Sequence, residues 1–145
     1  MTPDRPSPAS VSTIARLAQP PRVEALHPIA GRFVYALRLI ALHDRAKRDP
    51  VPELATRLGN VAVAAKALSL AQTISASWPE DIHVSRFCCC LMSHDEATIG
   101  AMVQSAAMRD REGFEAALDG FIRPARVHRL WEAVVELVAA ELRSA

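Results

Sequence analysis

The stretch Ala30-GRFVYALRLIALHDRA-Lys47 decides the fold. Its apolar residues, from Phe33, Val34 and Tyr35 through Leu37, Leu39, Ile40 and Leu42, lie nearly all round a helical wheel. Only Arg32 and Arg38 interrupt them to any extent. A helix that is apolar on every side belongs in the middle of a bundle, not on its surface. The charged run that ends it, His43 to Arg48, suits a helix C-terminus, where the carbonyl dipoles are negative.

Working outward, the segments on the C-terminal side repeat the helical pattern. Asp49-Pro-Val-Pro-Glu53 reads as a helix start, because proline fits a first turn and acids favour it. The segment that follows, to about Ser77, carries two apolar stripes. One is Leu54, Leu58, Val61, Ala65 and Leu68; the other is Val63, Ala67, Leu70, Ala71 and Ile74, with Gly59 as a bend or a close-packing point. Ser77-Trp-Pro-Glu80 fits a capping box, while Val84 to Cys90 is rich in strand-tolerant residues. Residues 79–91 therefore read as a short helix or an extended segment. Ser93-His-Asp-Glu96 is a second capping box and predicts a helix over about 94–108. Asp110 caps a short helix bearing Phe114, Leu118 and Phe121, with Gly120 placed to close it. Pro124 opens the last helix, with Val127, Leu130, Trp131, Val134, Val135, Val138 and Leu142 on its apolar face and Arg129, Glu132, Glu136 and Arg143 opposite. The fold class is all-α: a compact bundle of five to six helices.

Composition agrees. The chain has 145 residues, 50% hydrophobic and 23% charged, with a net charge of +1. That is length for one domain with a real core and too apolar for overall disorder. It also supplies no general basic field for nucleic acid. Fifteen of the 17 basic residues are Arg, and 26 residues are Ala. Codon bias in a GC-rich genome accounts for both, and both favour helix. Six of the ten prolines fall in residues 1–28 with Ser7, Ser10, Ser12 and Thr13. This stretch reads as a flexible tail, 1–28, ahead of a single helical domain, 29–145. One short amphipathic turn is expected within it at Val11–Ala18, where Val11, Ile14 and Ala18 share a face and Pro20-Pro21 ends it. No apolar h-region marks a secretory signal, and Asn60, Lys66 and Gln72 make Gly59–Trp78 a buried helix rather than a membrane span. The expected compartment is a reducing cytoplasm, where neighbouring cysteines stay thiols.

The chemical oddity is that all three cysteines are consecutive: Cys88, Cys89 and Cys90. Three readings compete. With His94, and His83 or His128, two of the thiols would supply zinc ligands, although the spacing matches no established finger. Beside Arg86 and ahead of a helix start they would form a redox or sensor thiol. The plainest reading makes Phe87–Met92 an apolar core segment, since free cysteine is among the most buried residue types. His94-Asp95-Glu96 could act as a general-base cluster, but a helix start explains it more simply. Arg123, Arg126 and Arg129 cluster at a helix N-terminus, where an anion would bind; the alternative is that Arg126 and Arg129 pair with Glu132 or Glu136. Met92, Met102 and Met108 read as gap-fillers, and Trp78 and Trp131 as packing anchors. No dinucleotide, P-loop, zinc-protease or serine-hydrolase motif is present.

Cys88-Cys-Cys-Leu-Met-Ser-His-Asp-Glu-Ala97 resembles a signature in a family of small bacterial helical proteins of unknown function. There a cysteine run leads into Met, a Ser or Thr, and an Asp-Glu-Ala helix start. Some members carry proline beside the cysteines, where this chain has Phe87 and Leu91. The resemblance covers about ten residues and implies no activity; it implies that the cysteine run belongs to the fold. The expected function is a non-enzymatic interaction or regulatory module with a protein partner or a second copy of itself. A metal or thiol sensor at Cys88–Cys90 and an anion or nucleic-acid site at Arg123–Arg129 are the alternatives.

Overall fold

Pro28 starts the central helix: its fixed φ fits a first turn, and the side chain of His27 accepts a hydrogen bond from the Ile29 N–H (3.2 Å). In the structure, a computed structural model that describes residues 21–145, this helix is α1, Pro28–Arg45. Five more follow: α2 (Val51–Leu58), α3 (Val61–Ser77), α4 (His94–Ala107), α5 (Arg111–Leu118) and α6 (Pro124–Ser144). A 3-10 turn, Val23–Ala25, precedes them. Among the described residues there is no strand, only an isolated antiparallel bridge between Arg22 and Leu91. The bundle expected from the sequence is therefore the fold. No helix among the described residues is long and apolar enough to cross a membrane.

Local chemistry sets the helix ends. Ser93 and Glu96 form the reciprocal capping box of α4. The Asp110 side chain accepts from Gly113 N (2.9 Å) at the start of α5. The segment read as one long helix over 50–77 is two. Gly59 takes a left-handed φ of 76°, which ends α2, and Asn60 then caps α3 by accepting from Val63 N (3.0 Å). The expected capping box at Ser77 is absent. Ser77 is instead the last residue of α3, and its hydroxyl donates back to Thr73 O (2.7 Å). Pro79 holds Trp78 in extended backbone and stops the helix there. Residues 79–91 contain no helix and run irregularly back across the bundle.

α1 packs against α3 and α4 with Ala30, Phe33, Val34, Ala36, Leu37 and Leu39 buried, but it is not enclosed on every side as its pattern suggested: Tyr35 and Leu42 are exposed. The largest seam joins α3 to α6, and Leu70 and Ile74 of α3 and Leu130, Val134 and Leu137 of α6 are all buried in the same apolar cluster. Each such side chain contributes about 1.5–3 kcal/mol by leaving water. Two residues of the expected apolar face of α6, Val135 and Leu142, are exposed. Glu141 is buried in their place and accepts from Arg32 Nε (2.7 Å) and Nη2 (3.0 Å). Arg32 also donates to Leu58 O (2.7 Å), so one guanidinium ties α1 to the end of α2 and the last turn of α6.

The turn expected at Val11–Ala18, and the tail as far as residue 20, lie outside the described residues. Residues 21–27 belong to the body. Val23 is buried with Val34 and Met92 in a small cluster beside the main core, and His27 N donates to Gln104 Oε1 (2.8 Å). Gly100 on α4 makes room for them: a Cβ there would meet Leu26 at 2.8 Å.

Replacing Gly59 by Ala meets no atom within 4 Å, so its cost is conformational, about 1–2 kcal/mol for a left-handed residue with a side chain. Urea unfolding of Gly59→Ala is expected to show a lower midpoint with an unchanged slope.

Candidate functional site

The cysteine run occupies a short loop between the irregular segment and α4, and the physics of one side chain places it. Arg38, near the middle of α1, is 1% exposed. A guanidinium in that position needs a partner for its charge and acceptors for its N–H groups. Glu96, wholly buried at the start of α4, supplies the charge: Arg38 Nε donates to Oε2 (2.7 Å) and Nη2 to Oε1 (3.1 Å). The loop supplies the rest. Arg38 Nη1 donates to the Cys89 carbonyl and Nη2 to the Leu91 carbonyl (3.0 Å).

Glu96 thus does two jobs, accepting from Arg38 and from Ser93 N (2.9 Å). Burial alone pushes its carboxyl pKa up. Hydrogen bonds from Arg38, the Ser93 backbone and Ser85, with the charge of Arg38, outweigh burial and hold it below the usual 4.5. In the same way burial opposes the charge of Arg38, and Glu96 raises its pKa overall.

The loop is held on other sides as well. Val23 N donates to Cys90 O (3.0 Å), Met92 N donates to Pro21 O (2.8 Å), and Cys89 N closes a turn onto Arg86 O (3.0 Å). Phe87 packs edge-on to Tyr35, with ring centroids 6.1 Å apart, and lies under Arg57 (5.4 Å). Backbone and flanking side chains are fixed, yet the thiols face outward. Cys88 and Cys90 are exposed, Cys89 is half-buried, and all three are free. The reading of Phe87–Met92 as a core segment is corrected here. Met92 alone is buried, because Arg38 draws the loop carbonyls inward and so turns the thiols of Cys88 and Cys90 toward solvent. Arg22 Nη2 lies 3.5 Å from Cys90 Sγ and donates to it. The Arg22 pKa is raised, first by its hydrogen bond to Glu24 and next by its Coulombic interaction with Cys90.

The other candidate residues are not drawn together. Among the described residues, no three His, Cys, Asp or Glu side chains gather closely enough to hold a metal. Cys88, Cys89, Cys90 and His94 are thus not gathered as a set in this structure, and His128 pairs with Glu132 (3.0 Å). The His94-Asp95-Glu96 cluster is dispersed: His94 is exposed, and Asp95 accepts from Trp78 Nε1 (3.3 Å) and His83 N (2.8 Å). Of the arginine cluster, Arg123 and Arg129 are exposed at the start of α6, while half-buried Arg126 reaches Ser77 O (3.4 Å) at the end of α3. Glu136, one of the partners expected for Arg126 and Arg129, pairs with Lys66 (3.2 Å).

Sequence reasoning missed the Arg38–Glu96 pair. The signal was there: a lone arginine on a helix with no polar face must find an anion or reach solvent. Comparison with known proteins finds no family model, curated protein or solved structure that the chain matches.

Arg38→Met leaves the Glu96 carboxylate buried and unpaired, and chemical denaturation should show a loss of about 3–5 kcal/mol. Because the folded pKa of Glu96 is depressed, its contribution is present above the unfolded value and is lost as pH falls through the folded one. Stability should therefore fall as pH drops below about 4.5, and Glu96→Gln should flatten that limb while lowering stability at neutral pH.

Proposed function

We propose that this chain is a non-enzymatic regulatory and interaction module whose working surface is the cysteine loop, residues 87–92. The observation that carries the reading is the exposure of Cys88 and Cys90 on a loop whose backbone is pinned from inside by a buried guanidinium. Buried structural cysteines are inert; exposed thiols near cations are the ones that oxidise, exchange or bind soft ligands. Loops on a rigid scaffold are also where recognition usually sits. Here Cys90 shares its carbonyl with Val23 and its sulfur with Arg22, so a change at the sulfur acts directly on the N-terminal strap over residues 21–26. That gives a thiol modification a structural consequence that a protein partner can read.

The test is thiol titration of the native protein with a disulfide reagent, combined with elemental analysis after anaerobic purification. Two thiols should react quickly without denaturant, and Cys88→Ser and Cys90→Ser should each remove one fast equivalent. Reaction of all three thiols only after unfolding would sink the proposal, and stoichiometric metal would replace it with a metal-centred one.

The partner reading extends to self-association. Val135 and Leu142 are seven residues apart on the exposed side of α6, the spacing of one helical seam. Light scattering should show a dimer that Leu142→Glu dissociates; a strict monomer at high concentration would remove this part of the reading.

A further inference from the structure

Three cysteines in a row can pair in three ways, and backbone geometry favours one. Across one peptide bond the Cα atoms stand about 3.8 Å apart. A disulfide needs about 4.4–6.8 Å between them. Cys88–Cys89 and Cys89–Cys90 are therefore too close to bridge without distorting the chain. Cys88 and Cys90 are two residues apart, about 6.6 Å in extended backbone and less where the chain turns. The chain here turns at Phe87 and Cys88 and bends at Cys90. We infer that a hydroperoxide oxidises this loop to one internal disulfide, Cys88–Cys90, with Cys90 as the attacking thiol, Cys88 as the resolving thiol and Cys89 left free. This rests on the reading of the cysteine loop as the working surface, and names its oxidant class and its product.

The fold presents the same pair. Arg38 holds the carbonyls of Cys89 and Leu91, while Val23 N holds the Cys90 carbonyl between them (3.0 Å). Backbone whose carbonyls alternate in this way also alternates its side chains. Cys88 and Cys90 are accordingly exposed and Cys89 half-buried. Arg22 then separates the two exposed thiols by role. Its Nη2 donates to Cys90 Sγ (3.5 Å), and among the described residues it is the one side-chain donor to a cysteine sulfur. A cation at that sulfur steadies the thiolate, which is the attacking form. A second exposed thiol two residues away captures the first oxidation product as a disulfide, before further oxidation to sulfinic acid.

The Cys90 thiolate attacks one oxygen of the hydroperoxide. An S–O bond forms, the O–O bond breaks, and the departing hydroxide or alkoxide takes the proton of the Cys88 thiol. The Cys88 thiolate then attacks the sulfur of the Cys90 sulfenic acid. An S–S bond forms, the S–O bond breaks, and the departing hydroxide takes up the proton that Cys90 gave to solvent. Two thiols are oxidised and one hydroperoxide is reduced, to two waters in the case of hydrogen peroxide. The product leaves no anion at the Cys90 sulfur, so Arg22 keeps only Glu24 (2.6 Å), and the strap over residues 21–26 loses its side-chain tie to the loop.

The test treats the reduced, full wild-type chain with one equivalent of hydrogen peroxide. The remaining thiol is alkylated with a light reagent, the disulfide is reduced, and the released thiols are alkylated with a heavy one. Fragment mass spectra should place the light label on Cys89 and the heavy label on Cys88 and Cys90, with the chain still monomeric on a non-reducing gel. Cys89→Ser should form the disulfide at the wild-type rate. In Cys88→Ser a sulfenic acid should accumulate at Cys90, where a cyclic diketone traps it. Arg22→Gln should slow peroxide oxidation at least several-fold without changing the alkylation rate of Cys88, and Arg22→Lys should restore most of it. A light label on Cys88 or Cys90, a disulfide between chains, or an unchanged rate in Arg22→Gln overturns the inference. Fast native thiols that peroxide does not join also overturn it, and leave the exposed-loop reading standing. Thiols that react only after unfolding overturn both.

Discussion

An arginine side chain inside an apolar core is tolerable only when its charge is met and its donors are used, and this molecule is arranged around that requirement. Arg38 sits on the buried side of α1, the helix that packs against both α3 and α4. Its guanidinium is shared between Glu96 at the start of α4 and the carbonyls of Cys89 and Leu91. Taking both charges out of water costs several kcal/mol per ion, which their attraction and hydrogen bonds only offset. What the pair adds is therefore less a gain in stability than a unique geometry. It fixes where α4 begins relative to α1, and it fixes the backbone of the cysteine loop between its two apolar anchors, Phe87 and Met92.

The distinction between short-range and long-range information runs through the whole chain. Caps at Ser93 and Asp110 and the proline at position 124 involve neighbours three or four residues apart, and these were legible. The break at Gly59 was half-legible: the apolar stripes continue across it, so periodicity alone hides the left-handed residue that ends α2. The exposure of the cysteines was not legible, because hydrophobicity cannot say which way a loop faces when a residue 51 positions away holds its carbonyls. The same holds on α6. A helical wheel places Leu142 with the core and leaves Glu141 aside, whereas Arg32, 109 residues away, draws Glu141 in. The arginine cluster at the start of α6 is contiguous in sequence but divided in space, with Arg126 taken by the end of α3.

The helices form the scaffold, and the three free thiols sit on a connection between two of them. The main core draws buried residues from all six helices, while the cysteine loop rests on a smaller cluster of Val23, Val34 and Met92. Such a satellite cluster has fewer apolar neighbours to hold it, and local opening should begin there before it reaches the bundle.

The strap over residues 21–26 also constrains how the chain can mature. Arg22 and Cys90 stand 68 positions apart, so the earliest described residues to be synthesised wait for a loop made much later. Contacts of that separation pay their chain-closure entropy before they are rewarded. The helices can assemble in sequence order, but the surface bearing the thiols is completed only when the two distant segments close on each other. Assembly of that surface thereby reports that the segment from Pro21 to the start of α4 has closed on itself.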